Sequence, residues 1–364
     1  MSFWSGKRVF ITGHTGFKGA WLSLWLAELG AEVTGFSLPA PTTPNLFAVA
    51  RIRELTRHVD GDVRDLGALT AAMRAAKPEI VFHLAAQSLV RASYEAPVET
   101  FATNVMGTVN LLESVRHTDG VRSVVCVTSD KCYENRETGV ACREDDAMGG
   151  YDPYSSSKGC SELVVSAYRR SYFNPERIAA HGVAVASARA GNVIGGGDWA
   201  KDRLVPDLMR GFAAGERPLV RLPDAVRPWQ HVLEPLSGYL LLARRLAEGD
   251  AAAAEGWNFG PEEADAKSVG WVADRLAKLW GAGAGWDETG KPQPHEAAWL
   301  RLDCSKARNR LGWRPRWGLE EALRQTVAWG RAFANGEDMG DYTAGQIRRH
   351  SAGPSGASEA DHGS

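Results

Sequence analysis

The sequence of 364 residues contains few cysteines and no long apolar run. Its five cysteines form no CxxC pair and no cysteine–histidine spacing suited to zinc, so we expect reduced thiols and no bound metal. No apolar stretch reaches the roughly 18 residues that a membrane-spanning helix needs. The first segment, MSFWSGKRVFITG, lacks the basic and apolar regions of a secretory signal. These absences predict a cytoplasmic protein.

An excess of either charge is also missing. The formal net charge is −2, which favours neither nucleic acid nor an anionic membrane surface as a partner. Hydrophobic residues make up 44% of the sequence, enough for a sizeable core in one large domain or two closely joined ones. The composition therefore indicates a globular protein.

Short apolar segments alternate with longer segments of helical periodicity through the first half. The predicted strands cover 7–12, 32–36, 58–63, 79–84, 124–128 and 183–188. The predicted helices cover 20–29, 65–76 with Asp65 as the cap, 100–116 and 153–172. Strands that are apolar on both faces and separated by helices are typical of a parallel sheet covered on both sides. We therefore predict an α/β fold with a doubly wound, Rossmann-type sheet.

The second half is richer in glycine, proline and tryptophan, which suggests a smaller C-terminal substrate domain. We predict a first domain over 1–190 and a second mainly over 191–340. A segment near 229–248 has the pattern of a strand followed by a helix, so we expect it to return to the first domain. From about residue 341 the sequence becomes polar and small, which predicts a disordered tail over 341–364.

A glycine-rich segment, GHTGFKG, joins the first predicted strand to the first predicted helix. Gly13, Gly16 and Gly19 would let the backbone turn tightly and approach a pyrophosphate at the helix N-terminus. The pattern predicts a dinucleotide site, to which the remaining loop residues also contribute: His14, Thr15 and Phe17. Lys18 has two open interpretations, pairing with a phosphate or facing water.

The second predicted strand lacks the terminal acidic residue that usually binds the adenosine ribose. Ser37 is the nearest polar candidate, and no arginine stands there for a 2′-phosphate, so we expect NAD rather than NADP. Asp62 and Val63 are candidates for adenine contacts, although a turn aspartate is an equally good interpretation of Asp62. Small residues that would allow close approach of the nicotinamide ribose end the fourth strand: Leu84, Ala85 and Ala86.

A tyrosine and a lysine stand four residues apart in YSSSK. On a helix, Tyr154 and Lys158 project from one face. An ammonium beside a phenol lowers the phenol's pKa, so the tyrosinate can remove a hydroxyl proton while hydride leaves the same carbon. The strand before this helix ends in a hydroxyl pair, Thr128 and Ser129, followed by Asp130 and Lys131. We predict that these four residues are also catalytic, although a solvated turn would explain them as well.

The glycine loop, the segment LAA at 84–86, the hydroxyl pair and the Tyr154/Lys158 pair resemble extended short-chain dehydrogenase/reductases that act on nucleotide sugars. The resemblance covers about residues 7–329. Within that family, the strings GHTGFKGAWLSLWL, TSDKCYEN and RAGNVIGGGDW are similar to those of the branch that dehydrates CDP-glucose. The resemblance implies NAD as the cofactor, CDP-glucose as the substrate and a homodimer or higher homo-oligomer.

A 4,6-dehydratase removes hydride from sugar C4, eliminates water across C5–C6 and returns the hydride to C6. The resemblance implies that Ser129 binds the C4 oxygen, Asp130 is the acid toward the C6 oxygen and Lys131 is the base at C5. The related dTDP-glucose enzymes carry Asp-Glu at this pair. Residues expected at the substrate are Gln87, Ser88, Asn192, Trp199, Arg203, Arg227 and His231, with Trp229 as a further wall.

Other functions remain open on this sequence. The first is dehydration of another nucleotide sugar, and the second is 4-epimerisation, which needs no acid and base at C5 and C6. The third is a catalytically silent NAD-binding regulator. Retention of Tyr154, Lys158, Asp130 and Lys131 argues against a silent protein, because such a protein has no physical need for all four.

Overall fold

A computed structural model describes residues 2–135, 137, 139–281, 283–289, 297 and 299–352. Its strands are β1 Arg8–Thr12, β2 Glu32–Ser37, β3 Arg57–Asp60, β4 Ile80–His83, β5 Ser123–Val127, β6 Ala184–Ala190, β7 Asn192–Ile194, β8 Leu219–Val220, β9 Val226–His231, β10 Gly256–Phe259, β11 Ala266–Ser268 and β12 Asp287–Glu288. Its helices are α1 Phe17–Glu28, α2 Leu46–Val49, α3 Ile52–Leu55, α4 Leu66–Ala76, α5 Val90–Glu95, α6 Pro97–Phe101, α7 Gly107–Arg116, α8 Pro153–Ser171, α9 Ile178–His181, α10 Leu204–Ala213, α11 Leu233–Ala247, α12 Val269–Trp280, α13 Leu319–Ala334 and α14 Met339–Ala352.

Seven parallel strands form the central sheet, in the order β10-β6-β5-β4-β1-β2-β3. Alternate side chains of β1 enter different cores: Val9 and Ile11 pack with α1 and α11, whereas Phe10 packs with α4, α7 and α8. Because both faces are covered, the central strands β4 and β5 are buried throughout rather than alternating between buried and exposed residues. The predicted doubly wound α/β fold is confirmed.

A local signal placed the start of α4 correctly. The Asp65 side chain accepts a hydrogen bond from the Ala68 amide, as expected for the cap of α4. The helix expected over 100–116 begins earlier, at Pro97, and passes through a π-helical turn over Ala102–Met106 before α7. Proline at the first helical position explains the earlier start, since its fixed φ suits a helix N-terminus.

A seventh strand, β10, was absent from the predicted set. It comprises only Gly256–Phe259 and pairs with β6 at one edge of the sheet. The segment 229–248 divides between two layers: β9 pairs with β7 and β11 in a separate three-stranded sheet, whereas α11 packs on β5 and β6. A third apolar cluster lies around α10, α12 and α13 beside that small sheet.

The prediction of a disordered tail over 341–364 is wrong for residues 341–352, which belong to α14. Apolar and small side chains of this helix, including Met339, Ala344 and Ile347, are buried against the body of the protein. His350 is also buried, and its Nε2 lies 2.8 Å from Oε1 of Glu234 on α11. Tertiary contacts therefore order a segment whose composition is polar; the rest of the predicted tail, 353–364, lies outside the described residues.

Candidate active site

A cavity of about 550 Å³ opens at the carboxyl ends of the central strands. It crosses the point where β1 separates β2 from β4, which is where open α/β sheets bind their ligands. The predicted residues that line it are Gly13, Thr15, Gly16, Phe17, Gly19, Ser37, Asp62, Val63, Leu84, Ala85, Ala86, Ser88, Thr128, Ser129, Asp130, Lys131, Tyr154, Lys158, Asn192, Trp199, Arg203, Arg227 and Trp229. Residues from both halves of the sequence thus meet in one cavity.

The glycine loop has the close backbone approaches that a pyrophosphate cradle requires. Gly13 adopts a positive φ of 78°, and a Cβ there would lie 2.6 Å from the Ala85 amide nitrogen. A Cβ at Gly19 would lie 2.1 Å from the Gly13 carbonyl oxygen. No side chain caps α1, so its first amides are not occupied by a capping oxygen and can bind an anion. The loop therefore fits a dinucleotide.

Lys18 adds a positive charge to the cavity beside the free amides at the N-terminus of α1. It lies half-buried in the first turn of α1, and no hydrogen bond or ion pair joins it within the described part of the chain. Burial and then the charge of Arg203 lower the pKa of Lys18 to about 8. A lysine held among other cations favours an anionic ligand, so phosphate pairing is the better of the two interpretations left open by the sequence.

Two polar groups line the expected adenosine end. Ser37 Oγ lies 2.8 Å from Thr15 Oγ1, which fixes both hydroxyls beside the glycine loop. Asp62 is already engaged, because Arg64 donates to it through Nε at 2.8 Å and through its backbone amide at 2.9 Å. The hydrogen bonds from Arg64 lower the pKa of Asp62, so the carboxylate stays charged at the rim.

His14 does not reach the cofactor cavity, contrary to its prediction as a cofactor-binding residue. Its ring is fully buried beneath β2, and Nε2 lies 2.7 Å from Nδ1 of His58. Burial lowers the pKa of His14 to about 4, so the ring is neutral. The backbone at Gly35 leaves room for this ring, since a Cβ there would lie 2.2 Å from it. His14 is therefore a packing residue.

Gln87 and His231 also lie outside the cavity, contrary to their prediction as substrate-binding residues. The Gln87 side chain is used within its own loop, donating to the Leu89 carbonyl and to Thr100 Oγ1, both at 3.0 Å. His231 is fully buried and packs edge-on against Trp21 and Trp317. Local hydrogen bonding and core packing, which a one-dimensional pattern does not show, direct these side chains away from the substrate.

Tyr154 and Lys158 face the cavity from the first turns of α8, next to Ser129 at the end of β5. The pKa of Tyr154 is raised to about 12, chiefly by burial, although a hydrogen bond with Ser129 acts in the opposite direction. The pKa of Tyr154 is therefore not lowered overall, contrary to the expectation from its spacing to Lys158. Burial lowers the pKa of Lys158 to about 8, and its Nζ lies 3.4 Å from the Val127 carbonyl.

Asp130 and Lys131 begin a short helical turn directly after Ser129. The Asp130 side chain is 4% exposed; Oδ1 accepts from Ser129 Oγ at 3.0 Å, and Oδ2 has no hydrogen-bond partner within the described residues. Burial raises the pKa of Asp130, although Lys131 and Ser129 favour its ionised form. A solvated turn would expose the carboxylate, so the structure instead favours a proton donor at the cavity wall.

Thr128 lines the cavity, and its hydroxyl bonds a side chain of the helix that carries Lys158. Thr128 Oγ1 donates to Oε1 of Glu162, a buried residue one helical turn after Lys158. Thr128 was predicted to act in catalysis together with Ser129, and the two hydroxyls have different partners: that of Thr128 bonds Glu162, whereas that of Ser129 contacts Tyr154 and Asp130. Glu162 itself was not predicted, and its position four residues after Lys158 is the signal that would have found it.

The far end of the cavity carries the predicted diphosphate and base contacts. Arg227 is buried, with Nη1 donating to the Val226 carbonyl at 3.0 Å, and it influences the charge of Asp130. Arg203 donates to Ser88 Oγ and to Asp198 Oδ2, both at 2.9 Å, which joins the two halves of the cavity. Trp199 packs against Trp329 and Phe333, and Trp229 on β9 lines the cavity while it packs into the third apolar cluster.

The comparisons with known proteins agree with this geometry. A family model described as GDP-mannose 4,6 dehydratase matches residues 10–326. The CDP-glucose 4,6-dehydratase of Salmonella typhimurium is 58% identical over 93% of this chain and 94% of its own. The dTDP-glucose 4,6-dehydratase of Streptomyces antibioticus is 30% identical over 75% of this chain and 76% of its own.

A solved structure gives the same architecture. The Thermus thermophilus UDP-glucose 4-epimerase in complex with NAD has a TM-score of 0.76 and 26% identity, covering 89% of this chain and 99% of its own. The fold and the cavity define an extended short-chain dehydrogenase/reductase, a class that the sequence motifs had indicated. Within that class, the chain belongs to the GDP-mannose 4,6 dehydratase family.

Proposed function

We propose that this protein is an NAD-dependent lyase that converts CDP-D-glucose and yields CDP-4-keto-6-deoxy-D-glucose and water. The observation that carries the proposal is the buried Asp130 beside Lys131, one residue beyond Ser129 and within the same cavity as Tyr154 and Lys158. An epimerase has no need for an acid and a base at C6 and C5. The 58% identity to a CDP-glucose 4,6-dehydratase over nearly the whole chain supports the choice of nucleotide.

When bound, NAD would supply the hydride-transfer chemistry that links sugar C4 to C6. The glycine loop would hold its pyrophosphate, with Lys18 as an additional positive charge, and Ser37 would lie near the adenosine ribose. A side chain at Gly13 would clash with the Ala85 backbone, so glycine lets the loop and the end of β4 pack together at the cavity wall. The absence of an arginine at the end of β2 supports NAD over NADP, because a 2′-phosphate would be left without a partner there.

The remaining side chains divide between oxidation and elimination. Tyr154 removes the C4 hydroxyl proton, Ser129 hydrogen-bonds the same oxygen, and Lys158 supplies positive charge beside the tyrosine. Oxidation makes the C5 proton acidic, because C5 is then next to a ketone. Lys131 removes that proton, and Asp130 protonates the departing C6 hydroxyl. The raised pKa of Asp130 supports this assignment, since a general acid must hold a proton before it can donate one.

The distal half would bind the cytidine diphosphate. Asn192, Arg203 and Arg227 are suited to the diphosphate, since guanidinium and amide N–H groups donate well to phosphate oxygens. Trp199 would form a wall of the substrate site. We also propose a cytoplasmic, homo-oligomeric enzyme; no helix among the described residues is both long and apolar enough to span a membrane.

The direct test is incubation of the purified protein with CDP-glucose and a catalytic amount of NAD, followed by detection of a 4-keto-6-deoxy sugar. CDP-glucose deuterated at C4 should give product deuterated at C6, because the hydride returns within the same active site. dTDP-glucose and GDP-mannose serve as competing substrates and should be turned over more slowly. Loss of the label to solvent, stoichiometric formation of NADH, or epimerisation without water loss would contradict the proposal.

A further inference from the structure

A buried ion pair lies directly behind the active site, between Glu162 of α8 and Arg189 of β6. Arg189 Nη2 donates to Glu162 Oε2 at 2.8 Å, and both side chains are 5% exposed. Each carboxylate oxygen also accepts a hydroxyl: Oε1 from Thr128, and Oε2 from Ser187 at 2.7 Å. Burial opposes ionisation of Glu162, but Arg189 and these donors lower its pKa, so the carboxylate is charged.

The same pair reaches the active-site turn from its other side. Arg189 Nη1 donates to the Tyr133 hydroxyl at 2.7 Å, and that hydroxyl donates to Asn258 Oδ1 at 2.7 Å. Tyr133 directly follows the helical turn Asp130–Cys132, whereas Thr128 precedes Ser129 and that turn. The segment that carries the acid and the base is therefore anchored at both ends to one buried ion pair.

The pair also belongs to the helix that carries the oxidation residues. Glu162 lies four residues after Lys158, so both project from the same face of α8. Movement of the carboxylate would thus displace the 128–133 segment relative to Tyr154 and Lys158. Buried ion pairs contribute little net stability because desolvation offsets their attraction, whereas they fix geometry by requiring specific partners.

We propose that the Glu162–Arg189 pair is a positioning device for the dehydration, holding Asp130 and Lys131 in register with Tyr154 and Lys158 through Thr128 and Tyr133. This inference rests on the proposed 4,6-dehydratase function. It assigns Thr128, Tyr133, Glu162 and Arg189 as positioning residues rather than groups that touch the substrate. The elimination step should depend on them more than substrate binding does.

Two substitutions form a matched pair that separates positioning from simple support of the fold. Thr128→Val and Ser187→Ala each remove one hydroxyl that donates to Glu162, but only Thr128 adjoins the segment with Ser129 and Asp130. Misplacement of reacting groups by about 1 Å can cost about 10²-fold in rate. We therefore expect Thr128→Val to lower kcat by about 10²-fold with little change in KM, and Ser187→Ala to retain a rate close to that of the wild type.

The measurement is single-turnover kinetics with CDP-glucose, following bound reduced nicotinamide by its absorbance and product by chromatography. In Thr128→Val the reduced form should accumulate, because elimination becomes slower than C4 oxidation. Tyr133→Phe, which removes the anchor on the other side of the turn, should behave in the same way. Thr128→Ser retains the hydroxyl donor and should restore elimination. Thermal unfolding of each variant establishes that it is folded.

Equal losses in Thr128→Val and Ser187→Ala would overturn the inference, because the pair would then act through general support of the fold. Wild-type rates in both Thr128→Val and Tyr133→Phe would also overturn it. A rise in KM without a fall in kcat would assign the network to substrate binding instead. Failure of the wild-type protein to dehydrate CDP-glucose would refute the proposed function itself, and the inference with it. The assay of the wild-type enzyme therefore separates failure of the proposed function from failure of the positioning inference, which only the variants test.

Discussion

Replacement of Asp130 by asparagine tests the assignment of the general acid with little structural disturbance. The side chain is 4% exposed, and its hydrogen bond from Ser129 ends on Oδ1, an atom that asparagine keeps as an acceptor. The other oxygen, Oδ2, has no hydrogen-bond partner within the described residues, so the new amide group breaks no protein contact. Asp130→Asn thus removes the transferable proton while it preserves size and position.

The expected loss of rate in Asp130→Asn follows from the removal of the general acid. Removal of a general acid typically costs about 10²–10⁴-fold in rate, which corresponds to about 2.7–5.4 kcal/mol at 1.36 kcal/mol for each factor of ten. The raised pKa of Asp130 is consistent with a carboxyl group that holds a proton when the C6 hydroxyl leaves. Oxidation at C4 should continue, since Tyr154, Ser129 and Lys158 are unchanged.

Single-turnover kinetics should therefore show normal formation of bound reduced nicotinamide, followed by a long delay before the 4-keto-6-deoxy product appears. Lys131→Met should show the same delay but should also slow exchange of the C5 hydrogen with solvent, which Asp130→Asn should largely retain. Asp119→Asn, an exposed carboxylate after α7, is the control. Near-normal turnover in Asp130→Asn, or loss of the first hydride transfer, would refute the assignment.

Three further predictions test other parts of the structure. Tyr154→Phe should form no reduced nicotinamide with CDP-glucose, because the C4 hydroxyl keeps its proton; formation at the normal rate would exclude Tyr154 as the base. The pKa values of Lys18 and Lys158 are lowered to about 8, so both residues lose their positive charge as the pH rises through that value. We therefore expect kcat/KM to fall above about pH 8, with the slope that the loss of two protons gives. Lys18→Met should weaken NAD binding, measured by calorimetry, and reduce that slope to one proton; an unchanged slope would contradict the role of Lys18. His350→Ala should lower the free energy of unfolding by about 1–3 kcal/mol in denaturant titrations, because buried Glu234 loses a partner at 2.8 Å; no change would show that α14 contributes little to stability.

The sequence by itself predicted the features that depend on local order along the chain. Apolar strands separated by amphipathic helices indicated a parallel sheet, and the spacing of Gly13, Gly16 and Gly19 indicated the dinucleotide loop. Tyr154 and Lys158 could be paired from their spacing alone, because four residues on a helix bring side chains onto one face. These inferences need only the periodicity of secondary structure and the conformational demands of single residues.

Side-chain direction at the strand ends was decided by the tertiary structure. Thr128 and Ser129 are adjacent hydroxyls, yet one bonds Glu162 and the other bonds Asp130, because successive residues of an extended chain point to opposite sides. His14 lies within the glycine loop but fills a space under β2 beside His58. Neither outcome can be read from residue type, since each depends on what another part of the chain leaves free.

Contacts between distant segments decided the rest. Helix α14 looks polar in isolation and is ordered because α1, α11 and α13 offer a surface for Met339, Ile347 and His350. Glu162 becomes significant only when β6 brings Arg189 and Ser187 to its carboxylate. The sequence determined which local structures could form and which chemistry they could carry. Only the tertiary structure decided which side chains share the cavity, because packing and the pairing of buried charges depend on segments far apart along the chain.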